Sequence, residues 1–246
     1  MMITYSKVEE KGFFDTYTIS SLKNLAFLIM LIDHIGVILY PEISTFRVIG
    51  RIAFPMFAFL TIYNFTFNVK DRTKQLITIS ILALISQIAF IVAFDYGTTI
   101  LNIFYSMLLV CAFIHIYEDY KSKILIYLSY TFLFALSFFV EYGFFGFSFM
   151  IFLYSFLRIE SSKFNLLMIF ISVSLVNGFV SIVYSVVAVL TIAILIMIYL
   201  DSKSINLFSY RFDKYFYYGF YPFHLLILSI FSNIEEFNKF VSFLLI

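Results

Sequence analysis

The sequence predicts an all-α protein, a polytopic bundle of about nine transmembrane helices. Three observations carry that prediction. Apolar residues make up 63% of the chain and charged residues only 13%, with a mean hydropathy of +1.00, whereas a soluble domain holds roughly a quarter charged residues. The apolar residues fall into runs of about membrane-spanning length, and the connections between them alternate in charge. So few charges cannot clothe a soluble surface, so most of the outer face must meet a lipid bilayer.

Backbone groups in hydrocarbon must be satisfied within their own segment, so long apolar runs become helices. A span needs about 20 residues, within roughly 17–25. Nine runs fit or come close: 22–40, 48–67, 76–94, 99–117, 124–140, 142–157, 164–180, 182–200 and 215–232. The fifth to seventh are short, and the join at Asn177-Gly178 is the least sharply marked. The chain thus divides into a polar cytoplasmic tail (1–21), one helical domain (22–232) and a short C-terminal tail (233–246). Residues 1–21 lack the basic segment, short apolar core and cleavage site of a signal peptide, so the first run is expected to stay as an anchor. No soluble-type repeat is evident.

The connections set the side. One group, "NVKDRTKQ" (68–75), "EDYKSK" (118–123), "RIESSK" (158–163) and "DSKSINLFSYRFDK" (201–214), is rich in Lys and Arg. The other, "DYGTT" (95–99), "EYG" (141–143) and the turn near Asn177-Gly178, has none. With the N-terminal tail, the first group and its flanks hold all but Arg47, Arg51 and Lys239 of the 16 basic residues. Short basic loops stay cytoplasmic. This places the N-terminus on the cytoplasmic side and, with nine passes, the C-terminus outside.

Other classes are excluded by composition. A net charge of +1 offers no basic excess for nucleic acid. Cys111 has no companion for a disulfide or a metal site, and no metal is expected. No Walker loop, dinucleotide fingerprint, zinc helix or nucleophile elbow is present.

What stands out is polarity inside the spans. Ionisable residues there cost about 2.5–3.5 kcal/mol each on insertion scales, so they usually face the bundle interior and act there. With the directions above, Asp33 and His34 fall in the outer half of the first helix, and Arg51 near the outer start of the second. Asn102, Glu141 and Asn177 sit at outer helix ends, and His224 near the middle of the ninth. Six helices therefore send polar groups to one outer-to-middle layer. Adjacent residues point about 100° apart, so Asp33 and His34 are not a ready-made dyad. Arg51 or His224 is the expected partner of Asp33, which leaves His34 to address the cavity.

In "YYGFYPFHLLIL" (217–228), Tyr217, Tyr221 and His224 share one helical face. Pro222 frees the carbonyl of Tyr218, and Pro55 that of Arg51, so a bend is expected beside each polar group. Gly143 and Gly146 suit a tight turn and close helix packing. Blander readings exist for each: Arg51 as a snorkelling anchor, His224 as a helix bridge, and Asn102, Glu141 and Asn177 as caps. The tyrosines then serve as packing, and His115 as an interfacial residue.

At these residues the chain resembles a known family. "LKNLAFLIMLIDHIG", "RVIGRIAFPMFAFL", Asn102 after "TIL", "EYGFFGFSFM" and "KYFYYGFYPFHLLIL" occur in the order seen in the TraX family, over roughly 22–230. Matching positions are Asp33, His34, Gly50, Arg51, Pro55, Asn102, Tyr142, Gly143, Tyr221, Pro222, His224 and Leu225. Glu141 stands where an Asp is expected. The resemblance implies a polytopic membrane acyltransferase with acetyl-CoA as donor. The type member acetylates the N-terminal amine of conjugative pilin; the family does not transmit the acceptor, and a site toward the outer side makes the expected acceptor an exported peptide or an envelope glycan.

Acyl transfer needs a base for the acceptor and positive charge near the oxyanion. His34 is the candidate base and Asp33 its orienting partner. Arg51 or Asn102 is the candidate for the oxyanion or the donor, and His224 for a second proton handler or a transient acyl carrier. Glu141, Tyr142 and Tyr221 are candidate binding residues, and Gly50, Pro55, Gly143 and Pro222 structural ones. Two other readings fit the same residues: a proton-coupled transporter, and a scaffold whose polar groups lock helices together.

Overall fold

The computed structural model describes residues 14–94, 99–178, 180–201, 205, 207, 208, 210 and 212–244, with side chains described up to 234. The order is α1 (Thr16–Leu39), α2 (Ser44–Gly50), α3 (Ala53–Tyr63), α4 (Arg72–Phe94), α5 (Ile103–Asp119), α6 (Lys123–Leu136), α7 (Gly143–Tyr154), α8 (Lys163–Gly178), α9 (Ile182–Asp201) and α10 (Lys214–Leu244). Among the described residues there are no strands beyond one isolated bridge, Leu101 to Val140. Four helical segments are long and apolar enough to cross a membrane: Thr16–Leu39, Ser44–Asn68, Arg72–Phe94 and Ile182–Asp201. Lys123–Phe139, Gly143–Ile159 and Lys163–Gly178 are apolar but shorter.

The surfaces agree with that reading. Ile77, Ile81, Leu84 and Ile88 recur at helical spacing on the outside of α4, and Val186, Leu190, Ile194 and Met197 on the outside of α9, all more than half exposed. Water would not tolerate stripes of this size on a monomer; lipid does. The segment holding α2 and α3 is the enclosed one, 61% buried against 28–33% for the other three. It is apolar all round, as a central helix is, and Ala58, Phe59, Ile62 and Tyr63 are sealed within the core.

Boundaries differ from the sequence expectation where polar residues find partners. α1 begins at Thr16, within the expected tail, because Asp15 caps it by accepting from Thr18 N at 2.7 Å. The buried hydroxyls of Thr18 and Ser21 accept from the backbone of Ile205 (2.8 Å) and Leu207 (3.1 Å). The second run breaks into α2 and α3 at Arg51-Ile52, four residues before the missing N–H of Pro55. α10 runs on through Pro222 and reaches Leu244, where a tail had been expected from 233. The tail at 1–13 and Asp95–Thr98 of the "DYGTT" connection lie outside the described residues.

α1 and α10 run parallel. Tyr217 Oη donates to Asn24 Oδ1 at 2.6 Å near one end, and His34 meets His224 further along both helices. At the Asn24 end, Arg72 reaches Asp119 (3.0 Å) and Glu118 (3.4 Å), while Arg158 (3.3 Å) and Tyr154 (2.7 Å) also reach Glu118. That network ties α4, α5 and α7. A local repeat also appears: α3 and α7 each end in a π turn, Asn64–Asn68 and Ser155–Ile159, closed by matching 2.9 Å bonds from Val69 N to Asn64 O and from Glu160 N to Ser155 O. Each turn leads through a short connection into the next helix.

Candidate functional site

The polar groups gather at the other end of the bundle. α1 presents Asp33 and His34, both buried. Asp33 accepts from Arg47 Nη1 at 2.7 Å and lies 3.6 Å from Arg51 Nη2. Arg47 and Arg51 stand one turn apart across the end of α2, and Arg51 Nε also bonds the Arg47 carbonyl at 3.3 Å. Arg51 Nη1 donates to Asn177 Oδ1 at 3.1 Å, and its guanidinium lies 5.2 Å from the Tyr184 ring centre. Two guanidiniums thus share one carboxylate. Gly50 makes this possible, since a Cβ there would overlap the Asp33 carboxylate.

His34 takes a different partner. Its Nδ1 lies 2.6 Å from Nε2 of His224, with the two rings within 7° of parallel. His224 Nδ1 in turn lies 2.6 Å from the carbonyl oxygen of Phe220. A carbonyl only accepts, so His224 Nδ1 carries the proton, and in the neutral pair its Nε2 holds the lone pair. His34 Nδ1 must then donate to it, and the lone pair of His34 falls on Nε2. That atom has no hydrogen-bond partner among the described residues. Rings of Phe94 (5.4 Å) and Tyr221 (6.0 Å) stand edge-on to His34.

The remaining candidates support this end of the bundle. Asn102 is fully buried and caps α5: its Oδ1 accepts from Phe104 N at 3.0 Å, and its Nδ2 donates to Ala83 O and Gln87 Oε1, both at 2.9 Å. Its amide donors are therefore engaged by the fold. Leu101 N donates to Phe139 O, and Glu141 N to Leu101 O, both at 2.8 Å; this pairing sets the α6–α7 connection beside the start of α5. There Tyr142 adopts a left-handed backbone (φ 67°), followed by Gly143 at 55°. For a non-glycine residue this costs of order 1–3 kcal/mol. The Tyr142 ring stacks on Phe54 at 3.8 Å between centres, in space left by Gly146.

Burial, and then the charge of Asp33, push the Glu141 carboxyl up to about 7, against the pull of Arg51 and Arg47. Glu141 is thus within electrostatic reach of the ion cluster. Pro55 stands just after the break between α2 and α3, whereas Pro222 lies within the continuous α10, so the interruption expected there is absent.

Three contributors were not anticipated: Arg47, Tyr184 and the Phe220 carbonyl. Only Arg47 had a readable signal, its spacing of four from Arg51.

The family model described as TraX protein matches residues 18–232. The chain belongs to the TraX family. An uncharacterised protein of Rickettsia prowazekii (strain Madrid E) is 55% identical over 51 residues, a stretch spanning 21% of this chain and 21% of that protein. No solved structure matches. In this TraX protein the arrangement supplies two distinct chemical elements side by side: a histidine pair with one imidazole nitrogen bare, and a two-arginine, one-carboxylate cluster with positive charge to spare.

Proposed function

We propose that the protein is a membrane-embedded acetyltransferase of the bacterial cytoplasmic membrane, moving acetyl from acetyl-CoA to an exported peptide amine or glycan hydroxyl. The single observation that carries this reading is the His34–His224–Phe220 chain, which fixes the tautomer and leaves His34 Nε2 as a base. In the proposed step the acceptor nitrogen or oxygen attacks the thioester carbon while its proton passes to His34 Nε2. The carbon–sulfur bond then breaks, and the CoA thiolate leaves with that proton.

Arg51 holds Asp33, Asn177 and the Arg47 carbonyl at once, so Arg47 is the better-placed cation for the oxyanion. Its side chain is 28% exposed, and among the described residues only its Nη1 is engaged, by Asp33. Asp33 then orients the arginines rather than the imidazole, and His224 orients His34. Glu141, Tyr142 and Tyr221 are the proposed binding residues, while Asn102 serves as the cap of α5. The parallel course of α1 and α10 supports an odd number of passes, such as nine, and the basic loops are the support for an inner N-terminus. This orientation sets the histidines toward the outer face, and the donor's narrow pantetheine arm would reach them from the cytoplasm.

The local repeat of α3 with α7 favours a second reading, a proton-coupled transporter. One experiment separates them. Membranes carrying the protein, incubated with labelled acetyl-CoA, are expected to transfer label to an exported molecule, and His34→Ala membranes are not. Absence of label, together with proton-driven uptake in vesicles, would replace the enzyme with the transporter.

A further inference from the structure

A cleft at the opposite end of the bundle has no part in the site above. It lies between the starts of α4 and α10 and has a volume of about 450 Å³. That is within the roughly 300–1,000 Å³ usual for small-molecule sites. Lys70, Lys74 and Lys214 line it with Asp71, Tyr215 and Tyr218. Asp71 already caps α4, accepting from Lys74 N at 2.8 Å. Three lysines and one aspartate therefore line the cleft, and its formal charge is positive. Lys214 also lies over the Tyr215 ring, 4.9 Å from its centre. Lysines with tyrosine rings beside them suit a ligand that combines phosphates with a flat aromatic base.

We infer that this cleft binds the phosphate-bearing adenosine end of the acyl donor. The inference rests on the acetyl-CoA reading only for the identity of the nucleotide. α10 links the two places: the ten residues from Lys214 to His224 rise about 15 Å, a distance that an extended pantetheine arm spans. Charge and ring stacking at one end, and a base at the other, divide the donor between two stations on one helix. Anionic lipid headgroups share the phosphate chemistry but offer no base to stack on Tyr215 or Tyr218.

The test uses the full chain in nanodiscs of phosphatidylcholine, with adenosine 3′,5′-bisphosphate as the probe and calorimetry as the readout. Saturable binding is expected, weakened about tenfold or more when Lys70, Lys74 and Lys214 are all changed to Gln. The arginine versions of the three lysines should bind like wild type, and His34→Ala should bind unchanged. No binding, or binding indifferent to the three glutamines, would overturn the site. So would adenosine bisphosphate losing to phosphatidylglycerol discs at equal phosphate, which would make the cleft a headgroup site. Nucleotide binding without any acetyl transfer would leave the cleft standing and remove the acetyltransferase reading. Transfer with an unchanged KM for acetyl-CoA in the triple-glutamine variant would do the reverse.

Discussion

His34 Nδ1 and His224 Nε2 lie 2.6 Å apart with their rings nearly coplanar, across 190 residues of sequence. Because the Phe220 carbonyl holds the other nitrogen of His224, the pair has a direction: each proton sits on Nδ1, and the last lone pair is His34 Nε2. The same chain can carry charge away. A proton arriving at His34 Nε2 allows the Nδ1 proton to shift to His224, which still donates to Phe220.

This direction predicts unequal histidine variants. His34→Ala should reduce acetyl transfer to background. His224→Ala should lower the rate by about 10²–10⁴, the range of acid–base contributions, while His224→Gln keeps an acceptor for His34 Nδ1 and recovers part of the loss. Label transfer from acetyl-CoA in membranes, at matched expression, measures all three. Equal activity for the alanine and glutamine forms of residue 224 would remove the orienting role.

The ion cluster predicts a different hierarchy. Asp33→Asn leaves Arg47 and Arg51 facing each other with their directly paired carboxylate gone and only Glu141 within electrostatic reach, and breaking a buried pair costs about 3–5 kcal/mol. Arg47→Gln should cost less, since Arg51 remains 3.6 Å from the carboxylate and Arg47 is partly exposed. Thermal unfolding in detergent should therefore rank wild type above Arg47→Gln above Asp33→Asn. A reversed order would mean that Asp33 is held neutral, not paired.

Gly50→Ala tests the packing beneath that cluster. The new methyl would overlap the Asp33 carboxylate, so either the aspartate or α2 must move. Overpacking of this kind costs about 1–3 kcal/mol. Lower melting temperature together with lost acetyl transfer is expected. Wild-type melting and activity would show that α2 is free to shift.

The sequence disclosed the groups that were out of place and concealed their pairing. Asp33, His34 and His224 are conspicuous because they interrupt apolar runs, and their placement on one layer followed from counting helix directions. That His34 would meet His224 instead of leaving His224 for Asp33 depends on how α1 and α10 pack, which no local pattern encodes. Arg47 was overlooked because it precedes the apolar run that begins at 48, although its spacing from Arg51 was readable. Asn102 shows the converse: a polar residue before a helix signals a cap, and its amide is engaged in capping. The early start of α1 was hidden because Thr18 and Ser21 look like surface residues until the backbone near 205–207 is placed against them.

Sidedness makes a labelling prediction. Thr73 is exposed in the first turn of α4 and Glu42 in the connection from α1 to α2, and nine passes with an inner N-terminus put them on opposite faces. Thr73→Cys should react with a membrane-impermeant maleimide only after cells are opened, and Glu42→Cys in intact cells. Cys111 is buried, so it should give no background. Labelling of Thr73→Cys in intact cells would invert the topology and remove the outward position of the histidines.

Glu141 gives the chain a pH response of definite sign. It lies in the connection between α6 and α7, where burial and the Asp33 charge lift its pKa from 4.5 to about 7. A carboxyl whose folded value exceeds its unfolded one takes up a proton on folding. Its contribution to stability is thus full below pH 4.5 and is lost as pH rises through about 7. Glu141→Gln mimics the protonated form at every pH. The variant should therefore melt with a flatter pH profile between pH 5 and pH 8, and above wild type at the alkaline end. Parallel profiles for the two proteins would mean that Glu141 is ionised throughout, with Arg51 and Arg47 outweighing its burial.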